Sequence, residues 1–529
     1  MIITEILARN SRLFSSRTAL IERCPVDNTR RSISWKQFQH QANQLGNALS
    51  GSGIEKGDRV VILMTNCLEW LPVYFGVLST GALAVPLNFR FESDKIELCT
   101  GIAEPKAFIF GPEFIQRIEA VKSSLDQHVE QWIFCGLPSD CPDWAIHLDA
   151  FGKPFSGKQT PQVSIELLDD AALYFTSGTT GDPKAVLLTH RNLEHACYVE
   201  NNHHGQTTDD VFLCIPPLYH TGAKMHWMGS FLVGGTGVLL KGVSPKWILE
   251  AVSEEKATIV WLLVPWAHDI LIAIENNDVE LDHYELDQWR LMHIGAQPVP
   301  QVLVEKWQQV FPLQAYDTNY GLTESTGPGC VHLGVANNHK VGAIGLPGFD
   351  WEAKIVDKTG ECMPLNESGE LVVKGPGVMK AYYKNPEATR KTLKNGWLLT
   401  GDVARFDRHG FIWLVDRVKD MIIYGGENIF PVEIENFFMT HDRIKDIAVI
   451  GLPDERLGEI PVGIICPKPG ADLTEQEIID FQKELPRYKQ LRKIFFGDVP
   501  RNPTGKIEKP KLRRVYAPDK RKDIHKLLR

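Results

Sequence analysis

The chain's 10 cysteines, from Cys24 to Cys466, contain no CxxC pair, and only Cys135 and Cys141 lie close together. Neither a zinc site nor a disulfide framework is indicated. Basic excess is also missing: 57 Lys and Arg stand against 66 Asp and Glu, a net charge of -9. Nothing in that balance attracts a nucleic-acid backbone, although a local basic pocket for a small phosphate ligand is compatible with it. The N-terminus, MIITEILARNSRLF, lacks the continuous apolar stretch of a secretory signal and reads as an amphipathic helix. A reducing cytoplasm is therefore the expected location. The most membrane-like run, Trp70 to Leu87, is about long enough to span a bilayer. Pro72, Gly76, Gly81 and Pro86 break it, so a buried helix followed by a buried strand is expected and a transmembrane segment is not. Internal repeats and low-complexity tracts are absent.

What is present is a 529-residue chain, 43% apolar and 23% charged, the usage of a soluble globular protein of two or three domains. Helix-like segments (Trp35 to Leu49, Glu69 to Leu78) alternate with short β-branched runs (Arg59 to Met64, Lys106 to Phe110, Gln131 to Cys135). The alternation continues through Val211 to Cys214, Gly237 to Leu240 and Thr258 to Leu263, which predicts an α/β body with largely parallel sheets. From Gly369 to Asp416 short strands are separated by turn signals, as in hairpins. After Met421 a new α+β pattern begins. The expected organisation is an N-terminal domain over 1–415, a joint at 416–420 and a C-terminal domain over 421–529, with a basic tail.

The most informative stretch is YFTSGTTGDPK, Tyr174 to Lys184. Its glycines and hydroxyls would let a loop wrap a polyphosphate, with backbone N–H groups and hydroxyls as donors and Lys184 as counter-charge. It is not the GxxxxGK[ST] loop, because no Ser or Thr follows Lys184. Composition alone fits a Gly/Ser/Thr surface turn equally well.

This stretch closely resembles the signature loop of the adenylate-forming superfamily: acyl-CoA synthetases, adenylation domains of peptide synthetases, and beetle luciferases. Further motifs of that superfamily follow in order: PPLYHTG at 216–222, GAQP at 295–298, NYGLTE at 319–324, TGD at 400–402, DRVKDMIIYGGENIFPVEIE at 416–435 and PRNPTGKIEK at 500–509. The resemblance implies a large N-terminal domain of two α/β sheets plus a distorted β-barrel, and a small mobile α+β C-terminal domain. It also implies two half-reactions. A carboxylate attacks the α-phosphate of ATP to give an acyl-adenylate and pyrophosphate, and a thiol then displaces AMP.

The same resemblance assigns roles. Lys506 would bridge the acyl carboxylate and the α-phosphate, where preorganised positive charge is needed. Glu324 would ligate Mg²⁺, a hard cation that takes oxygen donors. Thr176, Ser177, Gly178, Thr179, Thr180, Gly181, Lys184 and Thr323 would contact phosphates. Tyr320 and Gly321, with the backbone of Gly295, Ala296 and Gln297, would enclose adenine. Thr318 stands where relatives often carry Asn, Gln or Asp, so the contact to the adenine amino group departs from the pattern. Asp402 would accept both ribose hydroxyls, and Arg417 would add a ribose or phosphate contact. Lys419 occupies the hinge position, and the loop of Gly425, Gly426 and Glu427 would face coenzyme A. His220 would orient the carboxylate and gate the thiol tunnel.

Thr221, Gly222, Trp266 and Asn319 would line the acyl pocket. Trp266 suggests limited depth, favouring a short, alicyclic or aromatic acid. Asn319 calls for a polar group on the substrate or a water to satisfy its amide. Lys224, four residues after His220, would face either the same cavity or solvent. The expected partners are a small carboxylic acid, ATP, Mg²⁺ and coenzyme A, with a homodimer left open. No carrier domain follows in the sequence, so a stand-alone acid:CoA ligase is the leading expectation. An acyl-AMP ligase loading a separate carrier protein and a luciferase-like oxygenase are the alternatives.

Overall fold

The computed structural model describes residues 1–177, 183–295, 299–331, 340–417, 420–424, 427–454, 456–501 and 507–517. Two large sheets form the body. In the first, seven strands run in the order Ala315–Asp317, Leu291–Gly295, Ile259–Leu263, Val211–Cys214, Thr236–Leu240, Thr18–Cys24 and Thr29–Ser34. All its pairings are parallel except the closing hairpin. In the second, eight strands run Ala381–Tyr382, Pro183–Thr189, Asp170–Ser177, Leu83–Pro86, Arg59–Leu63, Ala107–Phe110, Gln131–Phe134 and Ile146–His147. Strands buried on both faces need continuous apolar runs. Accordingly Val60, Val61, Ile62 and Leu63 are all inaccessible to solvent.

Between the strands lie helices whose ends are written in the sequence. Trp35–Gly51 begins at Ser34, whose hydroxyl accepts the Gln37 N–H while the Gln37 side chain accepts the Ser34 N–H. That reciprocal cap satisfies two donors the helix leaves open. The run Trp70 to Leu87 resolves into the fully buried helix Trp70–Ser79 and the strand Leu83–Pro86, as expected, with Gly81 at φ +74° making the turn. Among the described residues, no helix is long and apolar enough to cross a membrane. None of the ten cysteines is disulfide-bonded.

A curled antiparallel sheet follows, of Glu352–Val356, Gly369–Lys374, Trp397–Phe406, Leu393–Lys394 and Ile412–Arg417. It contains the strands expected from the turn-rich segment. A small three-stranded sheet, Asn319–Gly321, Pro328–Val331 and Leu346–Pro347, lies between it and the first sheet in the chain. The last sheet joins Glu427–Ile429, Ile422–Tyr424, Gly458–Pro467, Ile444–Asp454 and Lys493–Phe496. Alternation sorts its side chains to two faces. Ile447, Val449 and Ile465 pack with Ile434 and Phe438 of the helix Pro431–Phe438, whereas Ala448, Ile450, Val462 and Ile464 pack with Leu512 of the helix Lys509–Tyr516.

Candidate active site

The strands Asp170–Ser177 and Pro183–Thr189 form an antiparallel hairpin in which Thr176 stands opposite Lys184 and Ser177 opposite Pro183. Gly178, Thr179, Thr180 and Gly181 lie outside the described residues, as do Ala296, Gln297, Lys419, Gly425, Gly426 and Lys506. The side chains of Ser177, Arg417 and Glu427 are likewise outside them.

Lys184 and Glu324 meet at a residue the sequence did not single out. Tyr382 pairs through its backbone with Val186, two residues beyond Lys184. Its hydroxyl donates to Glu324 Oε1 at 2.8 Å, and its ring centroid lies 5.0 Å from Lys184 Nζ. Glu324 and Thr323 sit in the short turn Thr323–Ser325, held to the curled sheet's approach by the Met379 N–H donating to the Glu324 carbonyl. A cation and a carboxylate are thus fixed on either side of one phenol.

Tyr320, on Asn319–Gly321, donates its hydroxyl to Asp402 Oδ2. Asp402 lies in Trp397–Phe406 just after Gly401, whose φ is +73°, and is paired in register with Arg417. Gly295 ends its strand against Thr318: a methyl group there would lie 3.7 Å from Thr318 Oγ1. Gly321, next to Tyr320, is exposed. The expected adenine and ribose residues therefore come from three separate sheets.

His220 caps the helix Thr221–Val233, its Nδ1 accepting the Gly222 N–H at 3.2 Å. Thr221 is buried beside it. The preceding loop is clamped by Asn66, whose Oδ1 accepts the Leu218 N–H at 2.8 Å while Nδ2 donates to the Pro216 carbonyl at 3.0 Å. A Cβ at Gly222 would lie 3.2 Å from His220 Nδ1 and 3.4 Å from Trp261 Cη2 and so would crowd both rings. Trp261 is consequently the tryptophan beside His220.

Trp266, expected to line the acyl pocket, packs instead in the outer helical layer with Val260, Leu262, Ala267 and Ile270. Trp266 belongs to the helix Val264–Glu275, and strand alternation sends Trp261 inward in its place: Val260 and Leu262 face the outer layer, whereas Ile259 and Trp261 face the inner core.

Two other expectations are corrected. The Asn319 amide does not wait for substrate or water; its Nδ2 lies 3.2 Å from Glu200 Oε1 and 2.9 Å from His226 Nε2. Lys224 faces neither solvent nor the wall formed by Trp261. It is fully buried, donates to Tyr174 Oη, and lies 4.2 Å from the Tyr74 ring centroid and 5.3 Å from that of Trp70. Burial drives its amine well below the usual lysine range.

Behind Asn319 lies a polar cluster that no motif announces. His226 stacks on Trp261, with ring centroids 4.4 Å apart, and is equally close to His293. Burial lifts the Glu200 carboxyl to about 8 and pushes His204 down to about 3. Burial also works to raise Asp317, but the surrounding imidazoles, His203 foremost, hold it well below the carboxylate range.

Comparison with known proteins matches residues 7–383 to the AMP-binding enzyme family and 433–506 to the AMP-binding enzyme C-terminal domain. The chain belongs to the AMP-binding enzyme family. A feruloyl-CoA synthase from Amycolatopsis sp is 32% identical to this AMP-binding enzyme over 92% of the chain and 94% of that protein. The long-chain-fatty-acid--CoA ligase FadD13 of Mycobacterium tuberculosis is 30% identical over 92% and 93%. Among solved structures, the anthranilate CoA ligase AuaEII in complex with anthranoyl-AMP superposes with a TM-score of 0.88 at 26% identity, covering 98% of this chain and 97% of that one. This AMP-binding enzyme is an ATP-dependent acid:CoA ligase.

Proposed function

We propose that this enzyme activates a compact acid carrying a hydrogen-bonding substituent, and that its residues divide the two half-reactions as follows. The observation that carries the substrate reading is the cluster of Gly222, Trp261, His226 and Asn319 beside His220. Trp261 is buried with no partner for its indole N–H among the described residues, and leaving such a donor unpaired costs about 1–3 kcal/mol. An acceptor on the acid removes that cost. A long alkyl chain would leave it in place and lie against imidazole and amide groups.

In the first half-reaction, Lys184 and the hairpin hydroxyls hold the triphosphate, and Asp402 accepts the ribose hydroxyls. Glu324 presents a carboxylate steadied by Tyr382, the kind of oxygen donor that suits Mg²⁺, which would neutralise phosphate charge when bound. His220, fixed as a helix cap, orients the acid's carboxylate. Lys506 supplies positive charge where the carboxylate meets the α-phosphate. Adenylation breaks the α–β phosphoanhydride bond and forms the acyl–phosphate bond. In the second half-reaction the thiolate of coenzyme A attacks the acyl carbon and AMP leaves. Rotation about Lys419 would exchange Lys506 for the loop of Gly425 to Glu427, which would receive the pantetheine arm. The unpaired cysteines agree with a reducing, cytoplasmic setting.

The test is pyrophosphate release with ATP, Mg²⁺ and a panel of hydroxylated or aminated aryl acids, unsubstituted aryl acids and alkanoic acids, each with and without coenzyme A. Highest kcat/KM on the substituted aryl acids, with thioester and AMP formed only when coenzyme A is present, supports the proposal. Preference for long alkanoic acids overturns the substrate reading. Adenylate that accumulates regardless of coenzyme A points to carrier loading, and oxygen consumption points to the oxygenase.

A further inference from the structure

We propose that His204, His293 and Asp317 form a binding site for one divalent transition-metal ion of the zinc type, separate from the magnesium expected at Glu324. The three come from different elements: the last residue of the helix His190–His204, the middle of the strand Leu291–Gly295, and the end of the neighbouring strand Ala315–Asp317. All three side chains are essentially inaccessible to solvent.

Their donor atoms converge. His204 Nε2 lies 3.0 Å from Asp317 Oδ2 and 3.1 Å from His293 Nδ1, and His293 Nδ1 lies 3.4 Å from Asp317 Oδ2. A tetrahedral ion with ligand bonds of about 2.0–2.1 Å separates its ligand atoms by about 3.3 Å. The observed triangle is one face of such a tetrahedron. Two imidazoles and a carboxylate are also the donor types zinc takes in three-ligand sites, which leave a fourth position for water.

The surroundings supply what metal ligands need behind them. His203 Nε2 lies 2.8 Å from the Asp317 carboxylate and fixes its orientation. Glu200 Oε2, buried without a hydrogen-bond partner among the described residues, lies 3.6 Å from His204 Nδ1, and Gln206 Nε2 lies 3.3 Å from the same nitrogen. If His204 turns the lone pair of Nε2 toward an ion, Nδ1 must carry the hydrogen; the Gln206 amide then has to turn its unpartnered oxygen to that nitrogen, with Glu200 as the other acceptor beside it. That carboxylate–histidine pairing is the arrangement that sets the tautomer of a metal-bound imidazole. Without an ion a single N–H suffices, His204 Nε2 donating to Asp317 or to the facing His293 Nδ1; with an ion, both nitrogens present lone pairs to it.

The consequence reaches the active site. The strand holding His293 ends at Gly295, and Asp317, the last residue of its own strand, is followed two residues later by the separate strand that carries Asn319 and Tyr320. An ion joining them to the helix would set the spacing of the adenine and acyl walls.

The experiment uses the full chain, purified without a polyhistidine tag or chelator, with metal content read by inductively coupled plasma mass spectrometry. About one zinc per chain is expected, falling at least tenfold in His293→Gln and His204→Gln and unchanged in Glu324→Gln. Because a ligand variant could fail to fold, the wild-type protein is also stripped with chelator and titrated with Co²⁺. The visible d–d absorption of tetrahedral cobalt should appear and saturate at about one equivalent. Less than about a tenth of an equivalent of metal together with no cobalt band overturns the site, as does full retention of the ion in a folded His293→Gln protein.

Discussion

Tyr382 donates its hydroxyl to Glu324 Oε1 across 2.8 Å while its ring lies 5.0 Å from the ammonium of Lys184. One phenol therefore orients the carboxylate proposed for magnesium and flanks the lysine proposed for phosphate. Tyr382→Phe keeps the ring and removes the hydrogen bond. The expected result is a roughly tenfold fall in kcat/KM for MgATP, about 1.4 kcal/mol of lost stabilisation, with the KM for the acid unchanged. Steady-state kinetics at varied free Mg²⁺ would check it. An unchanged magnesium dependence would remove Tyr382 from this role.

Asn66 joins the end of one large sheet to the loop that precedes His220 in the other. Asn66→Ala deletes an acceptor for the Leu218 N–H and a donor to the Pro216 carbonyl, at about 1–3 kcal/mol for groups left unpaired. The melting temperature should fall by a few degrees. Beyond that, kcat/KM for the acid should fall more than kcat/KM for ATP, because the loop leads to His220, the residue proposed to orient the carboxylate. An equal fall in both would mean that Asn66 serves stability alone.

Much of the fold was legible because parallel strands buried on both faces leave continuous apolar runs, and the helices between them carry caps such as Ser34 with Gln37. The broken run after Trp70 could be read as helix then strand from its glycines and prolines alone. Contacts between segments distant in sequence were not legible. Trp266 and Trp261 look alike in sequence, and only the alternation of the strand Ile259–Leu263 sends Trp261 inward. Tyr382, 58 residues from Glu324, sits in no motif. The cluster of Glu200, His203, His204, His293 and Asp317 is spread over three elements whose adjacency is set by sheet order. Sequence spacing leaves Lys224 facing solvent or the cavity, but its long stem reaches Tyr174 of the second large sheet and the ring of Tyr74.

Lys506 lies in a sequence motif rich in proline and glycine, and the role proposed for it separates the half-reactions. Lys506→Ala should lower adenylation by roughly 10² to 10³, as expected for losing one preorganised donor. Thioester formation from supplied acyl-adenylate should be nearly unchanged. Single-turnover measurements of each half-reaction would check this, and an equal loss in both would contradict a role confined to adenylation.

Lys224 gives a test of stability against pH. Its amine is enclosed by Tyr174, Tyr74 and Trp70, with Cys197 near Tyr74, and burial lowers its pKa in the folded chain. In the unfolded chain it titrates near the ordinary value of about 10.4. Between the two values the unfolded state binds the extra proton, so stability rises with pH across that window, by up to about 1.4 kcal/mol per unit from this residue. The aromatic faces favour the ammonium form and so narrow the window. Lys224→Met keeps most of the stem and removes the titration. The variant should melt higher than wild type at pH 7, and the gap should shrink steadily toward pH 10, read by thermal unfolding across that range. A gap that stays constant with pH would show that Lys224 titrates alike in both states, with the aromatic enclosure offsetting its burial.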